Sequence, residues 1–454
     1  MFGKVQNIHF VGIGGIGMSG IAEVLVNLGF NVSGSDIKDS SSTERLATLG
    51  ITIHIGHTAK SIEGAQVIVV SSAVKADNPE VVAAHNAKIP VIPRGEMLAE
   101  LMRMKQGIAV AGSHGKTTTT SMIAHILGKG GLDPTIVVGG KLGILGSNAK
   151  LGTGPTLVAE ADESDGSFLM LSPTWAIITN IDREHLDYYN GLDEIKESFT
   201  SFANSVPFYG CTLVCMDCAN VASIRPNLRR QVRTYGTTPQ MDIQARNIRH
   251  DGFSTHFEVK ALGKDLGDFC LSIPGRHMVL NALAAIGMAL EMEIEVDIIR
   301  TALSEFSGAD RRFTIRGERD GILVVDDYGH HPTEIAATLS GARSGFPTRR
   351  IVVAFQPHRY SRTQSLMDEF ARAFFEADIV LISDIYAASE TPIPGLTGQT
   401  LVDALRSTGQ RDVHYVAEIK DMASELRKFT KPNDLLITFG AGSITQVWPE
   451  FLKN

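Results

Sequence analysis

The sequence predicts an α/β protein of three domains, and three observations carry that prediction. Short apolar runs alternate with helical patterns over residues 1–105, and the alternation resets over 312–454. Between them, over 106–311, a Gly-flanked Lys-Thr pair separates an apolar run from a helical pattern in Ala111–Thr120, AGSHGKTTTT. At 454 residues the chain has room for about three domains of roughly 150 residues each.

In the first region Ile8–Ile13 and Asn31–Ser35 read as strands flanking a helix over Ile16–Leu28. Gln66–Ser71 and Val91–Ile92 add further strands, giving a Rossmann-like parallel sheet with helices on its faces. Pro90, Pro93 and Gly95 punctuate its end and predict a linker near Glu96–Gly107. The central region adds strands at Thr135–Val138, Leu157–Ala159 and Ala176–Thr179. Between Thr234 and Pro274 the alternation of Phe253, Thr255, Phe257 and Val259 is antiparallel in character. The expectation is therefore a P-loop ATPase domain with a mixed sheet, followed by a helix from His277 to Met292. The third region predicts strands at Ile322–Val325, Ile351–Phe355, Ile379–Ile382 and Leu435–Phe439. Helices start near Pro332, Ser365 and Leu401, which makes a second Rossmann-like α/β unit.

Composition bounds the function. Hydrophobic residues at 43% and charged residues at 20% fit an ordinary soluble protein. A net charge of −8 disfavours a nucleic-acid partner and leaves room for a local basic pocket. No apolar run approaches ~18 residues, so no membrane span is expected. The N-terminus runs into a Gly-rich motif without a signal-peptide cleavage pattern. Cys211, Cys215 and Cys218 cluster, but Cys211–Met216 has the pattern of a buried strand, where Cys acts as a small hydrophobe. That reading is preferred over zinc, and together these features place the chain in the cytoplasm.

Two glycine motifs carry chemistry. Gly12, Gly14 and Gly17 satisfy G-x-G-x-x-G between a strand and a helix, and Asp36 closes the next strand. Such a turn docks a diphosphate-bearing nucleotide, NAD or a UDP-sugar among them; a tight turn with no ligand is the plain alternative. The second motif places Lys116 and Thr117 at a helix start, where backbone N–H groups and the helix dipole converge on phosphate. It is shorter than the common P-loop, since position 110 is Val and the earlier glycine is Gly112. An ordinary Ser/Thr-capped helix start would not need Lys116 between Gly115 and Thr117. Acids then end two strands of the same region, Glu160–Asp165 and Asp182–Asp187. A carboxylate there can hold Mg²⁺ opposite the Thr117 hydroxyl.

Read together, the motifs resemble the Mur ligase family, ATP-dependent enzymes that build the peptidoglycan precursor. The resemblance covers the chain: HFVGIGGIGMSGIAEVL at His9–Leu25, SGSD at Ser33–Asp36, AGSHGKTTT at Ala111–Thr119 and EADESDGSF at Glu160–Phe168. It continues through TNIDREHLDYY at Thr179–Tyr189, PGRHMVLNALAA at Pro274–Ala285, DDYGHHPTE at Asp326–Glu334 and FQPHRYSRT at Phe355–Thr363. It is nearest the branch that joins L-alanine to UDP-N-acetylmuramate.

The resemblance implies that Gly12, Gly14, Gly15, Gly17, Ser35 and Asp36 meet the uridine diphosphate. ATP would lie on Gly112, Ser113, His114, Gly115, Lys116, Thr117 and Thr118, with Asn281 reading the adenine and Arg312 approaching the phosphates. Thr117, Glu160 and His185 match the Mg²⁺ positions. His330, His358, Arg359 and Arg362 line the amino-acid side, with His330 the candidate base; His331, before Pro332, can simply cap a helix. One departure is visible: family members often read H-N-x-x-N at the adenine motif, and here Met278 follows His277. The implied chemistry is carboxylate activation as an acyl phosphate followed by attack of the amine, in a monomer or homodimer. A sister ligase that attaches a peptide to the same sugar is the alternative within the family. A nicotinamide-dependent oxidoreductase rests on the first motif alone and leaves Lys116, Glu160 and His185 without a task. A regulatory ATP-binding module would not need the His/Arg cluster of the third region.

Overall fold

The computed structural model describes residues 3–142, 147–186 and 188–453. The N-terminal sheet takes β1 (Asn7–Val11), β2 (Asn31–Asp36), β3 (Thr52–Ile55), β4 (Val67–Val70) and β5 (Val91–Pro93) in the order β3-β2-β1-β4-β5. All its pairs are parallel. Helices α1 (Ile16–Asn27), α2 (Ser41–Thr48) and α3 (Pro79–Asn86) connect the strands. The order reverses beside β1, so the turn into α1 sits at the topological switch point, where such sheets take ligands.

The expected linker near Glu96–Gly107 is instead helix α4 (Arg94–Arg103) running almost directly into β6 (Gln106–Ala111). Met97, Leu98, Ala99, Leu101 and Met102 are buried, and they join one apolar cluster that also holds Phe10, Ala109 and Phe168. Pro93 closes β5 and is the extended N-cap of this helix rather than the end of a domain.

The central sheet adds β7 (Thr135–Leu142), β8 (Ser147–Lys150), β9 (Thr156–Glu160), β10 (Trp175–Ile178), β11 (Cys211–Cys215), β12 (Gln231–Gly236), β13 (Ile243–Asp251), β14 (Ser254–Ala261) and β15 (Lys264–Leu271). Its order is β15-β14-β13-β12-β11-β10-β6-β9-β7-β8. It is mixed: β6 pairs parallel with β9 and β10, and β7 pairs antiparallel with β8. Two-residue turns join β13 to β14 and β14 to β15, which only antiparallel neighbours allow. Helices α5 (Lys116–Lys129), α6 (Leu192–Asn204), α7 (Ala219–Ile224), α8 (Arg276–Glu291) and α9 (Val296–Glu305) accompany it. Cys211 and Cys215 are free and buried on β11, and burial pushes both thiols up to about 12.

The third sheet orders β16 (Thr314–Arg319), β17 (Ile322–Asp327), β18 (Ile351–Phe355), β19 (Ile379–Ile382), β20 (Val413–Tyr415) and β21 (Leu435–Phe439) as β16-β17-β21-β18-β19-β20. It is parallel except for the β16 edge, which the strand pattern alone did not predict. Helix α10 (Pro332–Gly345) starts where expected, capped by the His331 side chain, which accepts from Thr333 N–H. The helix expected to start near Ser365 ends there instead: α11 spans Tyr360–Ser365, and α12 spans Met367–Phe370. Next, α13 (Gly398–Ser407) begins at a Thr397 capping box, ahead of Leu401.

By internal contacts the chain forms two units. The first holds the chain up to Arg246 with Glu258–Phe269 and Leu280–Ser307; the second holds Asn247–Phe257, Cys270–Val279 and the chain from Gly308. Among the described residues no helix is long and apolar enough to cross a membrane.

Candidate active site

In the first unit, β6 ends at Ala111 and α5 begins at Lys116, with four residues between them. Gly112 (φ +137°) and Gly115 (φ +82°) hold conformations that favour glycine. A Cβ on Gly112 would stand 2.0 Å from Thr179 Oγ1, and one on Gly115 would stand 2.7 Å from Asn281 Oδ1. The loop is strapped to the strand beside it. Thr179 Oγ1 and Asn180 Nδ2 donate to the His114 carbonyl at 2.6 and 2.9 Å, and His114 N–H donates to Asn180 Oδ1 at 2.8 Å. Ser113 Oγ accepts from Asp182 N–H at 2.8 Å, and His114 Nε2 lies 3.1 Å from Asp182 Oδ2. Thr118 is buried in the first turn of α5.

Parallel register puts the acids at the same end of the sheet as the loop: Glu160 pairs with Val110, and Ile178 with Ala111. Lys116 Nζ donates to the Gly112 carbonyl at 2.7 Å and to both oxygens of Glu163 at 2.9 and 2.8 Å. Burial works against its charge, but Glu163 and then Asp162 outweigh it and hold the ammonium well above its ordinary range. Burial raises Glu160, against Gly139 N–H at 2.9 Å and a hydrogen bond from the Thr117 side chain.

Of the three expected metal residues, Thr117 and Glu160 are thus brought into direct contact. His185, at φ +55°, joins two acids that sequence reasoning left without a role. Its Nε2 lies 3.7 Å from Glu163 Oε1 and 4.0 Å from Glu184 Oε2, and the three ligand atoms lie within 4.8 Å of one another. The signal for Glu163 and Glu184 was present in their strand-end clusters, but their convergence is a tertiary fact. Hydroxyl and carboxylate oxygens are what Mg²⁺ takes, so Thr117, Glu160, Glu163 and Glu184 fit the ion, with His185 beside the two acids. Asp187 lies outside the described residues.

The N-terminal turn is held from behind. Gly12 N–H and Ile13 N–H donate to the Ser35 carbonyl at 2.8 and 3.0 Å, and Gly14 N–H donates to Asp36 Oδ2 at 2.9 Å. Gly15 is the N-cap of α1. Ser35 is fully buried, and its hydroxyl donates to Glu80 at 2.6 Å. Gly17 faces the Arg94 side chain.

In the second unit, the loops after β17 and β18 leave the same sheet end, with only β21 between those strands. They bring His330 and His358 to a ring distance of 5.8 Å. Arg362 Nη1 lies 3.4 Å from His358 Nδ1, and Arg359 holds φ +70°. Tyr386, which no motif announced, stacks on His358 at 5.5 Å and accepts from Arg359 N–H at 2.9 Å. Burial, then the charges of His330, Arg362 and Arg359, pushes His358 down to about 4. His330 Nδ1 lies 3.2 Å from the Tyr328 carbonyl and 3.3 Å from Glu334. Both acceptors lie at Nδ1, so that nitrogen is the one that donates toward them. Arg312 lies over the Tyr328 ring at 5.3 Å and 3.5 Å from Glu334. Asp327 accepts from Phe313 and Gly329 N–H at 2.8 and 2.7 Å, bracing the loop that carries His330.

Three family models match in succession: Mur ligase family, catalytic domain, over residues 7–106; Mur ligase middle domain over 110–289; and Mur ligase, glutamate ligase domain, over 311–442. The chain is 56% identical over 455 residues to a UDP-N-acetylmuramate–L-alanine ligase of Trichlorobacter lovleyi, covering 100% of both chains. Among solved structures it resembles the UDP-N-acetylmuramate–alanine ligase of Thermotoga maritima, with TM-score 0.83, 31% identity and 98% of each chain covered. It also resembles a murein peptide ligase of Psychrobacter arcticus, with TM-score 0.72, 25% identity and 98% of each chain covered. The three-domain α/β architecture is that of these ligases, and the chain belongs to the Mur ligase family.

Proposed function

We propose that the chain joins L-alanine to the carboxylate of UDP-N-acetylmuramate with ATP, giving ADP and phosphate, in the cytoplasm. Full-length identity of 56% to a ligase of that name carries the reading. The proposed division is 1–105 for the UDP-substrate, 106–311 for ATP and 312–454 for the amino acid. A nicotinamide-dependent oxidoreductase is set aside, because the family is that of ligases.

A carboxylate is a poor electrophile, so ATP must first turn it into an acyl phosphate. Lys116, at the N-terminus of α5, holds the ATP phosphates as charge develops on them. Thr117 with Glu160, and Glu163, Glu184 and His185, would hold Mg²⁺, which supplies further charge neutralisation to the phosphates. Asn281 reads the adenine beside Gly115, and Arg312 meets the nucleotide phosphates. Arg359 and Arg362 grip the alanine carboxylate. His330 Nε2 takes the proton that the α-amine must lose before it attacks and phosphate leaves.

The test is phosphate release from ATP, Mg²⁺ and UDP-N-acetylmuramate with each amino acid in turn. Release stimulated by L-alanine alone is expected. Release without any amine would leave only an ATPase, and stimulation by a peptide in place of alanine would favour the sister ligase.

A further inference from the structure

Arg94 touches two functional turns at once. It opens α4 directly after β5. Its Nη2 donates to Asp162 Oδ2 at 3.0 Å, in the acidic segment after β9. Its Nη1 faces the glycine turn: a Cβ on Gly17 would stand 2.9 Å from Nη1 and 3.1 Å from Cδ. The next residue is equally confined, since a Cβ on Gly95 would stand 2.4 Å from the Ser167 Cβ. The third glycine of the motif is therefore small because an arginine lies against it. The helix start that carries this arginine is clamped by the acidic segment.

This placement concentrates positive charge at one point. The first amides of a helix have no acceptor within it, and the dipole adds a partial positive charge at the same end. Ile16 and Gly17 supply that end in α1, while Gly15 N–H donates to the Gly12 carbonyl at 3.2 Å. Arg94 sets a full charge beside it, on a rigid fork of five donors of which Asp162 takes one. A fork fixed on one side by a carboxylate is oriented for a second oxyanion on the other.

We propose that Arg94 is a substrate-binding residue whose guanidinium takes an anionic oxygen of the nucleotide-sugar acid, while Asp162 fixes the fork. The oxygen comes from the diphosphate or from the carboxylate. This rests on the ligase reading above.

The test is equilibrium titration of the full chain with UDP, UDP-N-acetylmuramate and ATP–Mg²⁺, for wild type, Arg94→Ala and Arg94→Lys. Arg94→Ala is expected to weaken UDP-N-acetylmuramate at least tenfold and ATP by less than twofold. Lysine keeps the charge and loses the fork, so it should recover only part of the loss. If the alanine variant does not fold, the lysine variant decides, with a threefold or greater loss expected. Equal losses for UDP assign the diphosphate oxygen; a loss confined to UDP-N-acetylmuramate assigns the carboxylate. Unchanged sugar-nucleotide binding in both variants, or an equal loss for ATP, overturns the proposal. If wild type binds UDP-N-acetylmuramate but L-alanine stimulates no phosphate release, the ligase reading fails and Arg94 keeps its role. If wild type binds no sugar nucleotide, both fall.

Discussion

Lys116 and Glu163 form a bidentate pair, with Nζ 2.9 and 2.8 Å from the two carboxylate oxygens. The glutamate side chain is only 2% exposed, so the lysine is its main compensation. Nucleotide phosphates must compete for the same ammonium. Lys116→Ala should cut phosphate release at least a thousandfold and leave UDP-N-acetylmuramate binding within twofold. Glu163→Gln removes one partner of a buried pair, a change that costs roughly 3–5 kcal/mol. A thermal midpoint lower by about 5–10 °C is expected without nucleotide, with more of it recovered on adding ATP without Mg²⁺ than wild type gains. Thermal scans with and without nucleotide check this.

Gly115 and Asn281 are interlocked. Alanine at 115 would place Cβ 2.7 Å from Asn281 Oδ1 and would hold φ near +82°, at a cost of about 1–2 kcal/mol for an L-residue. Gly115→Ala should raise the KM for ATP at least tenfold, and Asn281→Ala should raise it comparably. An unchanged KM in both would separate Asn281 from the nucleotide.

Features local in sequence were legible. The turn into α1 and the loop into α5 each join a strand to a helix across a few residues, and both formed as the glycine spacing implied. What escaped depends on distant partners. Glu163 lies 47 residues from Lys116, and Arg94 lies 68 from Asp162. Helix α4 was obscured because Pro90, Pro93 and Gly95 carry breaker chemistry, while the apolar face after them decides the outcome. Tyr386 has no motif around it, and only the sheet end brings it to His358. The start of α11 was missed because Arg359, at φ +70°, breaks the strand exit and sets Tyr360 as the first helical residue.

Arg359 keeps a backbone conformation (φ +70°, ψ 137°) that costs an L-residue about 1–3 kcal/mol. Strain of that size at a loop tip indicates that the side chain is needed. Arg359→Gly should therefore leave the thermal midpoint unchanged or raised, while raising the KM for L-alanine at least tenfold. Arg359→Lys and Arg362→Lys should raise that KM similarly, because lysine cannot grip a carboxylate bidentately. Alanine titrations at saturating ATP check all three, and an unchanged KM in the lysine variants removes the arginines from that role.

His358 sets a pH dependence whose sign is fixed by its burial. Its folded value, about 4, lies below the ordinary 6.5. On acidification the unfolded chain therefore takes up the proton first, and stability rises with pH between those values. The contribution is fully present above about pH 6.5 and is lost as pH falls toward 4. His358→Phe removes the titrating group and retains a ring to stack on Tyr386. Carboxylates elsewhere titrate alike in both proteins, so they cancel in the comparison. The fall in thermal midpoint from pH 7.5 to pH 5 should be smaller in the variant by a few degrees. An identical fall in both would show that His358 takes up its proton as readily folded as unfolded.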